Sequence, residues 1–472
     1  MLKKFFGNAQ FYKKVFIVVI PIIIQNFITQ FVAMLDNIMV GQTGTLQMSA
    51  VSIVNQLLFV FNLCCFGAVS GAGIFTAQYY GKGDMDGVRY THRFKVIVCV
   101  IIAILGVLVL AFFDDVLISL FLQGDGSVTD IDGTSAFAKK YLFVMLFGLP
   151  PFAIASAYAD TLRSTKQTVV PMVASVSAVL VNLVLNYILI FGKFGAPALG
   201  VEGAAIATVI SRYVEFAIVV GWTHLNPKKN PYIVGMYKSL HIPKIILKQM
   251  IFKGLPLLLN EAVWAGGVAM LSQCYSTRGI TVVAAQSIAS TMFNLSSVVY
   301  MSMGIAVGII IGQMLGSGES NENVRDTDRK LITLSVLSCT LFAGIMAATS
   351  TVFPLIYKTS SEVRELSSVL ICITACYMPI NAFAHSTYFT LRSGGKTAIT
   401  FIFDSGYKCF ITLPIALVLT YATPMPIIPL YAICLGTDIF KCILGFIFVK
   451  SDMWLKNLTT TPQKPDQTPQ SN

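Results

Sequence analysis

The sequence predicts an all-α integral membrane protein: twelve transmembrane helices in two parallel six-helix repeats, an N-lobe and a C-lobe. Three observations predict it. The 472 residues are 55% hydrophobic and only 12% charged, with a mean hydropathy of +0.74, whereas soluble domains run at roughly 45–50% apolar and about 25% charged. Twelve apolar runs are long enough to cross a hydrocarbon core, which takes about 20 helical residues. Short blocks of sequence also recur, in order, in both halves. So little polar surface cannot cover a water-soluble body of this length. A soluble enzyme, a disulfide scaffold and a disordered chain are excluded.

The runs lie near residues 15–40, 50–79, 94–122, 141–161, 169–191, 200–222, 249–273, 282–315, 331–357, 368–391, 397–420 and 427–449. The start, MLKKFFGNAQFYKKV, stays basic and polar for too long to open a cleavable signal, so the first helix is expected to remain. Lys and Arg orient the spans. Residues 1–14, the junctions after even-numbered spans and the tail hold 24 of them, and the opposite loops hold six: Lys139, Lys140, Lys193, Arg278, Lys358 and Arg364. Both termini are therefore expected in the cytoplasm of a cell-membrane protein. The formal charge of +11 is spread through these junctions, which argues for topology rather than nucleic acid. The loop after the third span, with Asp114, Asp115, Asp125, Asp130 and Asp132, would face outward as a solvated loop. The ten cysteines fall in or beside apolar runs without zinc-ligand spacing, so they read as small apolar filler and no metal is expected.

Residues 73–83, GIFTAQYYGKG, match 308–318, GIIIGQMLGSG, at an offset of 235: Gly73, Gln78, Gly81 and Gly83 recur as Gly308, Gln313, Gly316 and Gly318. A second block agrees at an offset of 229, with Pro150 matching Pro379 and Thr161-Leu162-Arg163-Ser164 matching Thr390-Leu391-Arg392-Ser393. Six crossings return a chain to its starting side, so the two halves share one orientation. The expected division is an N-lobe over 15–222, a hinge-like basic linker over 223–248, a C-lobe over 249–450 and a disordered tail over 451–472.

Ionisable side chains at membrane depth are costly, so each needs a reason. Arg212 with Glu215, Asp404 with Lys408, and Asp438 with Lys441 can pair along their own helices and read as structural. Asp36, Glu261 and His385 lack such a neighbour. A carboxyl group at that depth can carry a proton, whereas a lone helical histidine such as His385 is more often a satisfied core group. Gln25, Asn26, Asn182, Asn186, Asn260 and Asn381 could line a wet cavity, and His385 is counted with them as a candidate cavity residue. The stretch SGGKT at 393–397 lacks the glycine of a nucleotide-binding loop, since position 390 is Thr. No set of residues supports catalysis, and no enzyme is expected.

Asp36-Asn-Ile-Met-Val-Gly after an early Pro21, Gln78-Tyr-Tyr-Gly-Lys-Gly-Asp, Thr161-Leu-Arg-Ser, Asn182 and Asn186 before Ile190-Phe-Gly, and Gly200-Val-Glu-Gly-Ala-Ala-Ile-Ala-Thr208 resemble the multidrug and toxic compound extrusion (MATE) family. The resemblance runs in order from about residue 13 to 450. It implies a V-shaped antiporter that exports organic, often cationic, compounds against inward protons or sodium ions, with no other cofactor, and a monomer as the default. Asp36 matches the family's acid in the first span, Asn182 its polar partner and Glu261 the acid of the seventh span. The resemblance makes Asp36 and Glu261 the cation-coupling residues of the N-lobe and C-lobe; Thr208 joins the expected cavity. Asn186 stands where many members carry Asp, and Asn381 roughly where some have an Asp. Fewer carboxylates favour protons over sodium. The alternative is a flippase for lipid-linked sugars or cell-wall precursors, which would call for cationic rather than acidic cavity residues.

Overall fold

The computed structural model describes residues 4–121, 128–357 and 359–460, which form helices and connections without a strand. The N-terminal half comprises α1 (Ala9–Gly41), α2 (Thr45–Lys82), α3 (Met85–Phe112), the short α4 (Asp114–Ser119), α5 (Val128–Leu146), α6 (Leu149–Ser164), α7 (Val169–Phe191) and α8 (Val201–Leu225). The C-terminal half comprises α9 (Lys244–Ser276), α10 (Ile280–Ser317), α11 (Asn321–Ala348), α12 (Ser361–Ser393), α13 (Thr397–Phe401), α14 (Leu413–Tyr421) and α15 (Ile427–Lys450). Between α13 and α14 the chain passes through π-helical turns at Ile402–Gly406 and Lys408–Thr412, making one span of Thr397–Tyr421.

Among the described residues, eleven helices are long and apolar enough to cross a membrane singly, and a bent pair makes a twelfth span. The fourth apolar run, placed at 141–161, begins inside α5: Ile131–Leu146 and Leu149–Ser164 meet at 49°. Pro150 and Pro151 lie in the first turn of α6 and have no N–H to continue a helical ladder from α5. In the C-terminal half a single Pro379 leaves α12 unbroken over 33 residues. Asp114 and Asp115 of the expected acidic loop sit in α4, where Asp115 pairs with Lys139. Asp125, like Lys358, lies outside the described residues.

The repeat is visible in backbone chemistry as well as sequence. Pro21 in α1 and Pro256 in α9 sit 235 positions apart. α2 and α10 both end on a left-handed glycine, Gly83 at φ +79° and Gly318 at φ +74°, a conformation only glycine takes without strain. The next helices start on N-caps: Asp84 accepts from Gly87 N at 2.8 Å, and Ser320 from Asn323 N at 3.3 Å. Each half has its own apolar core, with Ala50, Leu142 and Ala205 in one and Ala285, Leu370 and Met378 in the other. A third cluster joins the halves, setting Val19, Ile22 and Ile74 against Leu257, Val307 and Ile311.

The halves meet where α2 crosses α10, at the end of the bundle rich in Lys and Arg, which we term the basic end. A Cβ on Gly81 would fall 2.0 Å from the Gln313 carbonyl oxygen, and one on Gly316 would fall 1.9 Å from that of Gln78. Only hydrogen fits at either place. Small residues let backbones approach this closely in membranes, where apolar burial alone does not hold helices together. Asn26 in α1 also reaches across to Ser302 in α10 at 3.1 Å.

The linker after α8 is fixed to α3. Arg93 donates to the carbonyls of Met236 (2.7 Å), Gly235 (2.9 Å) and His241 (3.1 Å). The tail, expected to be disordered from 451, starts with a folded stretch. Trp454 is fully buried. Its carbonyl oxygen lies where a Cβ on Gly394 would come within 1.8 Å. Gln78 donates to Lys456 O at 3.1 Å and accepts from Leu458 N at 2.6 Å, and Lys82 donates to Thr459 O at 3.1 Å. Asp452 pairs with Arg325. The short strap thus bridges α2 of one half and α11 and α12 of the other; residues 461–472 lie outside the described part.

Candidate functional site

The N-terminal cluster forms where α1, α7 and α8 pack together. Asn182 and Asn186 are one turn apart on α7, so both face Asp36 on α1. Asn186 Nδ2 donates to Asp36 Oδ1 at 2.7 Å. The Asn182 amide, with its nitrogen turned toward the acid, sits 2.9 Å from both carboxylate oxygens, and its oxygen lies 3.2 Å from the Thr208 hydroxyl on α8. That orientation gives the carboxylate, which accepts and cannot donate, its donors, while the buried Asn186 Oδ1 has no partner among the described residues. Asp36 is half-buried, and among the described residues it has no cationic partner within 4.0 Å. A small pocket of about 30 Å³, which Thr208 shares with Asn62, Phe152 and Arg212, lies next to this network. The Arg212 guanidinium lies 4.4 Å above the Phe152 ring and 3.7 Å from Glu215, its expected helix-local partner.

Gln25 and Asn26 do not join Asp36. They precede it by about ten residues on α1, some ~15 Å along the axis. Gln25 donates to Ser175 at 2.8 Å, Ser175 donates to Glu215 at 2.6 Å, and Arg163 donates to Gln25 Oε1 at 3.3 Å. A further ion pair lies nearby, with Lys95 Nζ 2.7 Å from Asp160. Asn26 belongs to the interface between the halves.

The C-terminal cluster gathers around Asp404 rather than Glu261. Lys441 on α15 donates to Asp404 Oδ1 at 2.7 Å, and Asn260 on α9 donates to Oδ2 at 3.1 Å. The Ser405 hydroxyl lies 2.6 Å from the Asn260 carbonyl and 2.7 Å from its side-chain oxygen. Asp404 and Ser405 ride on the first π-helical turn, a departure from α geometry often found at functional sites. The helix-local pairings expected for Asp404 with Lys408 and for Asp438 with Lys441 do not form. The ammonium offered by facing α15 makes a full hydrogen bond to Asp404, and Lys408 instead lies 5.3 Å from the Trp264 ring centroid.

Glu261 follows Asn260 on α9, half-buried and without an ion pair among the described residues. His385 and Asn381 are one turn apart on α12. His385 packs among aromatic rings, 5.3 Å from Tyr300 and 5.2 Å from Phe389, as a core histidine does. Asp36, Asn182, Asn186 and Thr208 are thus brought together, and Asn260 meets an acid that a helix-local reading assigned elsewhere. The signal for Asp404 and Lys441 was their presence in apolar runs; no spacing rule connects them. Among the described residues, no group of three or more His, Cys, Asp or Glu could hold a metal ion.

The MatE family profile matches residues 21–188 and again 256–421, one match in each half. A probable multidrug resistance protein NorM of Thermotoga maritima is 25% identical over 446 residues, covering 94% of this chain and 93% of that protein. The multidrug resistance protein MdtK of Yersinia pseudotuberculosis is 26% identical over 364 residues, covering 76% of each. Among solved structures, an outward-facing multidrug resistance MATE family transporter superposes with a TM-score of 0.84 at 18% identity, over 96% of this chain and 97% of that one. A mutant form of the Vibrio cholerae MATE transporter VcmN gives 0.85 at 18% identity, over 95% and 99%. Two profile matches spanning both repeats, on a twelve-span fold of the same shape, establish that this chain belongs to the MatE family, whose members are transporters and not enzymes.

Proposed function

We propose that this protein is a multidrug efflux antiporter, exporting small organic cations in exchange for inward-moving protons or sodium ions by alternating access. It works in this reading as a monomer in the cell membrane, with both termini cytoplasmic. The observation that carries the reading is Asp36, an intramembrane carboxylate without a cationic partner among the described residues, held by the neutral amides of Asn182 and Asn186. Such a group is costly at that depth unless it serves a passing charge.

An inward-moving cation neutralises Asp36, weakens its hold on a cationic substrate and favours release outside. A membrane potential adds about 2.3 kcal/mol per charge per 100 mV, enough for tens-fold accumulation for each charge moved. With the basic end cytoplasmic, the closed crossing of α2 and α10 corresponds to the outward-facing state. The test is export of a fluorescent lipophilic cation from proteoliposomes, with proton and sodium gradients imposed separately. Export under one gradient supports the antiporter and names its ion. Correctly inserted protein that exports under neither would overturn it.

A further inference from the structure

Asp36 and Asp404 are each held by buried amides, one in each half, but only Asp404 carries a cation of its own. Its Oδ1 is taken by the Lys441 ammonium at 2.7 Å and its Oδ2 by the Asn260 amide at 3.1 Å. The Asn260 side-chain oxygen is also engaged, 2.7 Å from the Ser405 hydroxyl and 3.3 Å from its N–H. Lys441 Nζ lies 5.3 Å from the centroid of Phe403, so a ring wall as well as the acid fixes its place. A hard cation bound from solution needs several oxygen ligands. Both carboxylate oxygens of Asp404 and the side-chain oxygen of Asn260 are already engaged. Of the other charged groups on the neighbouring helices, Lys408 lies over Trp264, and His385 and Asp438 make no ion pair with Asp404 or Lys441.

We propose that Lys441 is a built-in cation that fills the Asp404 site, making it a determinant of coupling-ion specificity. The C-terminal cluster then takes up no exchangeable sodium ion, and cation exchange falls to Asp36, where no such lysine stands. The proposal rests on the antiport reading above for its functional meaning, but its test does not need transport.

The full chain, purified in detergent with Asp36→Asn as background to silence the N-terminal acid, is unfolded by heat in sodium chloride and in choline chloride at matched ionic strength. The background protein and its Asp404→Asn derivative should show no sodium-specific shift. Lys441→Met should gain one, about 3 °C or more at about 100 mM sodium. Lys441→Arg should remain insensitive, and Lys441→Met with Asp404→Asn should lose the gain. Recovery of folded Lys441→Met only when purified in sodium would support the same conclusion. A sodium-specific shift in the background protein that Asp404→Asn removes would overturn the proposal. So would a Lys441→Met protein that is folded yet blind to sodium, or one that folds in neither salt while the double variant folds. Failure of both gradients to drive export by the unaltered protein would strike the antiport reading alone.

Discussion

Gln78 and Gln313 hold equivalent positions in the two halves, and each donates to the last turn of a helix in the opposite half. Gln78 Nε2 lies 2.8 Å from the Ser393 carbonyl at the end of α12, and Gln313 Nε2 lies 2.7 Å from the Ser164 carbonyl at the end of α6. Ser164 and Ser393 are themselves equivalent across the repeat. Closure at the basic end is therefore made twice, once in each direction, around the Gly81–Gly316 crossing. Any opening there must break both hydrogen bonds and part the two backbones.

The crossing predicts the effect of a side chain placed in it. Gly316→Val puts atoms where the Gln78 backbone lies and should cost about 1–3 kcal/mol through overpacking. The bundle should open at the basic end. Thiol labelling of a cysteine introduced at Ser393, in a background without native cysteines, should become several-fold faster; unchanged labelling and unchanged thermal stability would count against a tight crossing.

The two glutamines should not be equal under mutation. Gln313→Ala removes one interlobe hydrogen bond, while Gln78→Ala also releases Lys456 O and Leu458 N of the strap. Gln78→Ala should be the more destabilising by about 1–3 kcal/mol, the range for a buried polar group left unpaired. Truncation before Trp454 should destabilise the unaltered chain more than the Gln78→Ala protein, because the two share contacts. Additive losses in thermal unfolding would mean that the strap and Gln78 act separately.

Asp36→Asn should insert and fold as the parent does but lose gradient-driven export. Asn186→Ala should leave export measurable but weakened, since one of two amides remains on the acid. Coupled export at the parental rate by Asp36→Asn would remove the acid from the mechanism.

Lys95 is fully buried, while its partner Asp160 is partly exposed. Lys95→Met removes the charged partner of a partly exposed Asp160 and should lower stability by about 2 kcal/mol, the scale for a hydrogen bond to a charged group. Adding Asp160→Asn should restore most of it. A double variant as unstable as the single would show that the lysine stem, not the charge, is what matters there.

Much of the fold was legible in the sequence. The recurring Gln-x-x-Gly-x-Gly at 78–83 and 313–318 located the two helix ends that form the closed crossing, and the order of apolar runs foretold every span. The kink between α5 and α6 was not legible, because hydropathy averages over a bend and Pro150 alone has an equivalent in an unbroken helix. Asp36, Asn182 and Asn186 stood out as polar groups at membrane depth, the family resemblance linked Asn182 to that acid, and they meet Thr208 in space. Lys441 was assigned to Asp438 because a spacing rule sees only one helix.

The sequence by itself determined the class of the protein, its duplication and the residues that cannot rest at membrane depth without a reason. These follow from transfer energies and from periods of three to four residues, which are local properties of a chain. Tertiary structure alone decided which partner each of those residues obtained: Asn26 to the interface, Gln25 to Ser175, Asp404 to Lys441, and the strap to Gln78. A hydrogen bond between helices depends on their rotation and crossing, and packing sets both over separations of up to hundreds of residues, where no local pattern reaches.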